Sequence, residues 1–283
     1  RRVRPACLGA HRAKGPDGGA VTRTIRRVNT LSRTGWRVAT LAFLVMVAGM
    51  IATPLFARGG DERRLLAVVV VGALFACGLS IAVHSHGRRA ALAAAGIVVL
   101  TFVVEIIGST TGFPFGTYEY TDQLAPQLFG VPVIVSLAWA GITLVVHGAL
   151  RSVRAGNSVS DWLIRLAMMA SAITAWDVFL DPQMVGEGYW VWQSAGPAFR
   201  GIPLVNYLGW LATASITSVI ALALCGAPRR ATRLPIVVYA TLAGLSTIGF
   251  VFFFDDLVVA LVGGVLMGVF VLGGLRYSKG RST

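Results

Sequence analysis

Eight apolar runs, each of about 20 residues, follow one another along most of the chain. They cover residues 36–57, 65–83, 90–109, 131–150, 162–180, 203–225, 234–254 and 257–275. A helix of roughly 20 apolar residues crosses the hydrocarbon core of a bilayer, and it satisfies its own backbone hydrogen bonds in lipid. The pattern therefore predicts an all-α, polytopic membrane helix bundle with about eight transmembrane helices.

The composition agrees with this fold class. The chain of 283 residues is 55% hydrophobic and 13% charged, whereas soluble domains carry about 25% charged residues. The bundle is predicted as a single domain over residues 36–276. Residues 1–35 are basic and lack an apolar period, and they are predicted to form a disordered cytoplasmic tail near anionic lipid headgroups. Residues 277–283 are a second, short tail, and no internal repeat is apparent from matching residues.

The basic residues predict the orientation of the bundle. With the N-terminus inside, the segments predicted to lie outside contain only four of the 25 Lys and Arg residues, namely Arg58, Arg63, Arg64 and Arg200. Cytoplasmic segments are enriched in Lys and Arg, so both termini are predicted to be cytoplasmic. The formal net charge of +13 follows from this asymmetry and does not indicate a nucleic-acid partner.

Two predicted outer loops, residues 109–130 and 181–202, differ from the other connections. Gly and Pro, which mark tight turns, alternate there with Tyr, Trp and Phe. For any single aromatic residue, an interfacial aromatic belt is the simpler interpretation. Long loops of this kind are usually functional, however, and we expect these two to build a site.

Three carboxylic acids lie beside these loops. Glu105 is about one turn before the outer end of the third predicted helix, and Asp177 and Asp181 are four residues apart at the outer end of the fifth, so they share a helix face. Ionisable residues inside a span usually face the bundle interior and indicate function. A helix-end role is an equally good interpretation for Asp181, which precedes Pro182. A buried carboxylic acid retains its proton, and such an acid beside aromatic rings can protonate an alkene and stabilise the resulting cation.

Other chemistries fit the sequence less well. No nucleotide-binding glycine motif or Walker lysine is present, and the four histidines are too few for a membrane di-iron site, so we expect no cofactor and no metal. The spacing of Asp177 and Asp181 is similar to a magnesium-diphosphate motif of intramembrane prenyltransferases, but a second acidic cluster is missing. A transporter would show a helix broken at mid-membrane.

The loops resemble the CruF-type integral-membrane carotenoid biosynthesis proteins, which are the carotenoid 1,2-hydratases and bisanhydrobacterioruberin hydratases. The resemblance covers roughly residues 65–275. The matching motifs are Glu105-Ile-Ile-Gly108, Thr111-Gly-Phe-Pro-Phe-Gly116-Thr-Tyr-Glu-Tyr120, Val131-Pro132, Ala175-Trp-Asp177, Leu180-Asp-Pro182, Tyr189-Trp-Val-Trp192 and Gly201-Ile-Pro-Leu-Val-Asn206-Tyr-Leu-Gly-Trp210.

The resemblance implies cofactor-independent addition of water across the terminal C=C bond of an acyclic carotenoid end group, which gives a tertiary alcohol. We expect Asp177 to be the general acid, and Glu105 or Asp181 to orient the water and accept its proton. Asn206 is expected to hold the water. The predicted substrate-binding aromatic residues are Phe115, Tyr118, Tyr120, Trp176, Trp190, Trp192 and Trp210.

The expected substrate is lycopene, a monocyclic carotene or a bacterioruberin-type precursor, and the expected location is the cytoplasmic membrane. Membrane lipid and other carotenoid enzymes, such as a glycosyltransferase, are the expected partners. Three alternatives stay open: a lycopene-cyclase-like enzyme, an intramembrane prenyltransferase, and a non-catalytic carotenoid or lipid carrier.

Overall fold

The computed structural model describes residues 18–150, 158–193, 195–226 and 232–279. Residues 1–34 separate from Gly35–Thr283 as a unit of their own. The predicted N-terminal tail falls partly outside the described residues, and the backbone is helical from Gly18. The predicted C-terminal tail also falls partly outside them, because the last helix ends at Lys279.

Eight helices match the eight predicted spans in the described part of the chain. They are α1 (Gly18–Ala52), α2 (Asp61–His86), α3 (Arg88–Thr111), α4 (Val133–Ala149), α5 (Val159–Gly186), α6 (Leu204–Cys225), α7 (Leu234–Phe252) and α8 (Leu257–Lys279). Seven of the described helices are long and apolar enough to cross a membrane, and α4, with 17 residues, is shorter. The predicted all-α membrane bundle is confirmed, and the side on which the termini lie stays a prediction.

Helix α4 is the centre of the bundle. Its residues are buried along most of its length, because α2, α3, α6 and α7 all pack against it. At ~1.5 Å per residue it is shorter than the ~30 Å hydrocarbon core. The chain enters α4 from a hairpin, so the N-terminal end of this helix lies inside the protein.

Six short strands lie where α3 and α5 end and where α4 and α6 begin. Strand β1 (Tyr118–Tyr120) pairs with β4 (Trp190–Trp192) in an antiparallel register, which joins the two long loops to each other. Strand β2 (Gln127–Leu128) pairs with β3 (Val131–Pro132), and β5 (Ala198–Phe199) pairs with β6 (Ile202–Pro203). Each of these hairpins leads directly into a helix.

The two hairpins have the same geometry. Phe129 and Gly130 turn the first, Arg200 and Gly201 turn the second, and all four have positive φ, as a two-residue type I′ turn requires. The backbone N–H of Val133 donates to Pro126 O at 3.1 Å, and that of Leu204 donates to Pro197 O at 3.0 Å. The two hairpins are therefore copies of one motif.

The repeat extends from α3–α4 to α5–α6, although no repeat is apparent from matching residues. Glu105 is 13 residues before Tyr118, and Asp177 is 13 residues before Trp190. Around the paired strands β1 and β4, Thr121 N donates to Tyr189 O at 3.0 Å and Gln193 N donates to Thr117 O at 2.8 Å. These two bonds join equivalent positions, since residues 117 and 189 and residues 121 and 193 are each 72 residues apart. Residue matching missed the repeat because few residue types are kept, mainly the Gly and Pro of each hairpin and one Trp in each following helix.

Helix α5 is longer than predicted. It continues through Pro182 to Gly186, so Asp181 lies within the helix and does not cap it. Proline cannot donate a backbone hydrogen bond to the preceding turn. Hydrogen bonds from other elements to the side chain of Asp181, described below, hold the helix at this position.

Candidate active site

A cavity of about 360 Å³ lies under the paired strands β1 and β4. Its wall is formed by α1, α2, α4, α5, α6 and α7, by Glu105 at the end of α3, and by the residues of the two loops. The wall is predominantly apolar, with Glu105, Asp181 and Asn206 where the two halves of the repeat meet, and with Arg63 and Glu187 among its other polar residues. This combination is typical of a site for a small apolar ligand that is oriented by a few polar groups.

Glu105 is a buried carboxylate surrounded by donors. Its Oε2 accepts hydrogen bonds from the hydroxyl groups of Tyr118 at 2.6 Å and Tyr120 at 2.7 Å. Its Oε1 accepts one from Trp139 Nε1 at 2.9 Å. Three hydrogen-bond donors fix the orientation of this carboxyl group and offset part of the cost of burying it.

The two tyrosines act as donors because their phenols stay protonated. Burial and the nearby Glu105 carboxylate raise the pKa of Tyr118 and of Tyr120 above the ordinary value for tyrosine. Both side chains belong to β1, where residues 118 and 120 share one face of the strand. The alternation of the strand therefore directs both hydroxyl groups to the same carboxylate.

Asp177 and Asp181 form a second acidic group in the other half of the repeat. The side-chain amide of Asn206 on α6 donates to Asp177 Oδ2 at 2.9 Å and also to Asp181 Oδ2. Trp190 Nε1 donates to Asp181 Oδ1 at 2.9 Å. Asp177 Oδ1 is buried and has no hydrogen-bond partner. This pair of carboxyl groups thus has fewer donors for its four oxygens than Glu105 has for its two.

Only one member of this pair faces the cavity. Asp181 and Asn206 line it, whereas Asp177 is fully buried behind them. Glu105 also lines it and interacts electrostatically with both aspartates. The three predicted carboxyl groups are therefore brought together in one cluster, with Glu105 and Asp181 in contact with the space that a ligand would occupy.

Aromatic side chains surround the carboxyl groups. The register of β1 and β4 places Tyr118 opposite Trp192 and Tyr120 opposite Trp190, with ring centroids 5.0 Å and 5.8 Å apart respectively. All four line the cavity, while Glu119 and Val191 alternate with them on the exposed face. The pairing of two short strands therefore produces one aromatic wall.

The opposite wall contains a stacked tryptophan pair, of which the sequence predicted Trp210 and not Trp139. Trp139 on α4 and Trp210 on α6 lie with their rings 4.0 Å apart and 25° from parallel. Both line the cavity, as does Trp176, which meets Trp210 edge to face. Trp139 lies in an apolar run that indicated only a span. The signal that would have identified it is its spacing, seven residues after Pro132, as Trp210 is after Pro203.

Phe115 completes the site and anchors the first loop. It is buried between two glycines, one on α3 and one on α6. A Cβ on Gly108 would lie 2.9 Å from the Phe115 ring, and a Cβ on Gly209 would lie 2.6 Å from it and 2.7 Å from Pro114 O. The absence of side chains at these two positions lets the loop pack directly on the helices.

The structure thus places all the predicted substrate-binding residues on one cavity: Phe115, Tyr118, Tyr120, Trp176, Trp190, Trp192, Asn206 and Trp210. Of the predicted catalytic residues, Glu105 and Asp181 line it and Asp177 supports it from behind. Their chemical roles stay predictions. Among the described residues, no group of three or more His, Cys, Asp or Glu side chains has an arrangement that could hold a metal ion.

The fold and the site define a multi-pass membrane protein with an acidic and aromatic pocket. Residues 64–271 match the family model described as "Carotenoid biosynthesis protein". Since this is well over half of the chain, the protein belongs to the family of carotenoid biosynthesis proteins, as the resemblance of residues 65–275 implied.

One curated relative is similar over part of the chain. It is the bisanhydrobacterioruberin hydratase of Haloarcula japonica (strain ATCC 49778 / DSM 6131 / JCM 7785 / NBRC 101032 / NCIMB 13157 / TR-1), 32% identical over 134 residues. The match covers 46% of this chain and 43% of the relative, so it spans less than half of either protein. No solved structure matches the chain.

Proposed function

We propose that this protein is a carotenoid 1,2-hydratase, which adds water across the terminal C=C bond of an acyclic end group. The observation that carries the proposal is the pair Asp177 and Asp181 at the edge of an apolar, aromatic-lined cavity. Membership of the carotenoid biosynthesis family and the name of the similar relative support the choice of substrate and reaction.

The Asp177–Asp181 pair supplies the proton. Two carboxyl groups that share one amide donor in a buried site favour a state with one proton between them, because two like charges at short range are unfavourable. Asp181 faces the cavity, so we assign the delivery of the proton to Asp181 and the support of its protonated form to Asp177. This assignment refines the expectation that Asp177 itself is the general acid.

The reaction forms a tertiary cation. The proton of Asp181 forms a new C–H bond at C2 with the π electrons of the terminal alkene, and C1, which carries two methyl groups, becomes cationic. Aromatic faces stabilise a cation at short range, and the fixed charge of Glu105 does so without reorganisation during the reaction. The stacked pair Trp139 and Trp210 and the wall of β1 and β4 surround this position.

Water completes the addition. Its oxygen forms a bond to C1, and the proton that it loses returns to the Asp177–Asp181 pair, which restores the starting state. Asn206, which lines the cavity beside Asp181, holds the water. Glu105 is the alternative proton acceptor, but its oxygens already accept three hydrogen bonds. We assign it the role of counter-charge, and the substitution of Glu105 discussed below tests this choice.

The substrates that fit this reaction are lycopene, a monocyclic carotene and bacterioruberin-type precursors, without a cofactor. We place the reaction in the cytoplasmic membrane. The new tertiary hydroxyl group is a suitable acceptor for a glycosyltransferase, which is the partner that we expect to act next.

Expression in bacteria that accumulate each of these carotenoids tests the proposal. We expect a pigment that is heavier by one water and has an unchanged polyene absorption spectrum, measured by liquid chromatography and mass spectrometry. A product of unchanged mass would identify a cyclase, and a magnesium-dependent change of chain length would identify a prenyltransferase. Pigment that is bound but unchanged with all three substrates would identify a carrier.

A further inference from the structure

The cavity extends well beyond the carboxyl groups. From the site it continues between α2 and α7, where Val70, Val71, Leu242 and Leu245 line it, towards the end of α1. These side chains carry no polar atoms. The extension therefore suits a long hydrocarbon chain attached to the group that reacts at Asp181.

One side of this extension is open. Ile51, Leu55, Ile248 and Phe253 line the cavity, yet they are 55%, 75%, 49% and 44% exposed. Side chains that line the cavity and are also exposed on the outside of the bundle mark an opening. It lies between residues 51–55, at the end of α1, and residues 248–253, at the end of α7. Ile51, Leu55 and Ile248 belong to candidate membrane spans, so this opening faces the lipid hydrocarbon.

The neighbouring end of the extension is closed by polar contacts. The segment 53–60 is tied to α2 and α5, since Arg63 on α2 donates through Nε to Phe56 O at 2.9 Å and is paired with the buried Glu187. Arg58 donates to Phe253 O and lies 5.1 Å over the Phe254 ring. An apolar chain would have to break these contacts to leave in this direction, whereas the side between α1 and α7 is lined mainly by apolar side chains and carries no charged residue.

We infer that the carotenoid enters and leaves sideways from the bilayer, between α1 and α7, with one end group at the carboxyl cluster and its polyene in the opening. The inference rests on the proposed function. A cavity of about 360 Å³ is near the lower limit of ligand sites, ~300–1,000 Å³, and it holds one end group with the adjoining part of a polyene that is about as long as the ~30 Å hydrocarbon core. A carotenoid with two acyclic ends is therefore hydrated in two separate binding events.

Protection of an introduced cysteine tests the route without relying on turnover. Ile248→Cys is made in a Cys7→Ser, Asp181→Asn background and reconstituted in lipid nanodiscs. It is labelled with a membrane-permeant maleimide against the background protein, whose remaining Cys77 and Cys225 are buried. We expect bound lycopene to slow the labelling of Ile248→Cys by about tenfold, a difference of ~1.4 kcal/mol. Val251→Cys is the matched control, because Val251 is exposed on the same helix and does not line the cavity.

Labelling of Ile248→Cys that lycopene does not change, or protection of Val251→Cys to the same degree, would overturn the inference while leaving the hydratase proposal intact. Failure of the protein to retain any of the three carotenoids, seen in the absorption spectrum after purification, would overturn both.

A narrowed opening provides a second measurement, on the active enzyme. We expect Ile248→Trp to lower kcat/KM by about tenfold with little change in kcat, because substrate access is slowed and the reacting groups are untouched. Val251→Trp should match the parent protein. In a time course with a two-ended carotenoid, the singly hydrated product should accumulate before the doubly hydrated one. Simultaneous appearance of both hydroxyl groups would contradict a one-end site.

Discussion

The two halves of the repeat present the same scaffold with opposite arrangements of hydrogen-bond donors. In the α3–α4 half, Glu105 accepts three donors, two of them from its own strand β1. In the α5–α6 half, the equivalent Asp177 is accompanied by a second carboxyl group, Asp181, and the donors are Asn206 and Trp190. The two halves therefore match the roles proposed above, a fixed counter-charge for Glu105 and a proton-carrying pair for Asp177 and Asp181.

The same scaffold therefore carries different polar side chains in its two halves. The positions equivalent to Asp181 and Asn206 are Ser109 and Val135 in the first half, so the proton-carrying pair exists only in the second. The pairing of β1 with β4 brings the two carboxyl sites to one cavity. Substitutions at equivalent positions should therefore have different consequences, and this contrast can be measured.

Asp181→Asn should have the largest effect on turnover. It removes the carboxyl group that faces the cavity and keeps the side-chain volume, so we expect a loss of about 10²–10⁴-fold, the usual contribution of general acid catalysis. The measurement is the initial rate of hydration by purified protein in nanodiscs. Asp122→Asn, at an exposed position in the first loop, is the control and should retain the parent rate.

Asp177→Asn should lower turnover by about a hundredfold, because Asp181 loses the partner with which it shares a proton. Folding and membrane insertion should be unchanged, as shown by yield and by gel filtration of the purified protein. Turnover at the parent rate would show that Asp177 does not contribute to proton transfer and that Asp181 acts as a single acid.

Glu105→Gln should mainly affect stability, in contrast to Asp177→Asn. The amide group of glutamine turns N–H bonds towards Tyr118, Tyr120 or Trp139, which are themselves donors. Each buried donor left without an acceptor costs about 1–3 kcal/mol. We expect a lower Tm in detergent and a smaller loss of rate than for Asp181→Asn. A rate as low as that of Asp181→Asn with an unchanged Tm would instead identify Glu105 as the proton acceptor.

Trp139→Phe should lower the rate by about five- to tenfold. Phenylalanine keeps an aromatic face but is a weaker cation-binding surface than tryptophan, and such contacts contribute ~0.5–2 kcal/mol. It also removes one donor to Glu105. Trp36→Phe, at an exposed site on α1, is the control for a general effect of tryptophan loss on the rate.

The ionisation of Tyr118 and Tyr120 should have the smallest effect on activity. Because burial and Glu105 raise the pKa of Tyr118 and Tyr120, both stay protonated donors, and activity should show no decline from their ionisation below about pH 10. Above that pH the unfolded chain ionises first, so stability should fall as the pH rises. Absorbance at the phenolate band, recorded during alkaline titration, should show these two residues ionising only on unfolding.

Much of the fold could be predicted from the sequence, because apolar length directly determines where a chain can cross lipid. The end of α5 could not, since Pro182 is a common stop signal and the bonds that hold Asp181 come from α6 and β4. The site residues were identifiable because carboxyl groups are rare within a span and because long loops rich in Gly, Pro and aromatic residues are usually functional. The repeat was not, because Tyr118 and Trp190 occupy equivalent positions with different side chains.

Trp139 and the pairing of Arg63 with Glu187 were missed for a related reason. Trp139 lies in an apolar run that any buried helix would show, and Arg63 is one of three arginines within seven residues of each other in the sequence. Their partners are 34 and 124 residues away. Contacts of this range depend on how the helices pack, which the local pattern does not contain.

Hydration by proton transfer from Asp181 can be tested by following the atoms of water during turnover. The purified protein and its Asp181→Asn variant are incubated side by side with the carotenoid in deuterated, oxygen-18-enriched water, and the products are analysed by mass spectrometry. For a hydratase that uses Asp181 as the acid, we expect solvent oxygen on the tertiary carbon and one non-exchangeable deuterium on the adjacent carbon. The variant should give no product. A product of unchanged composition, or the same product from both proteins, would contradict this mechanism.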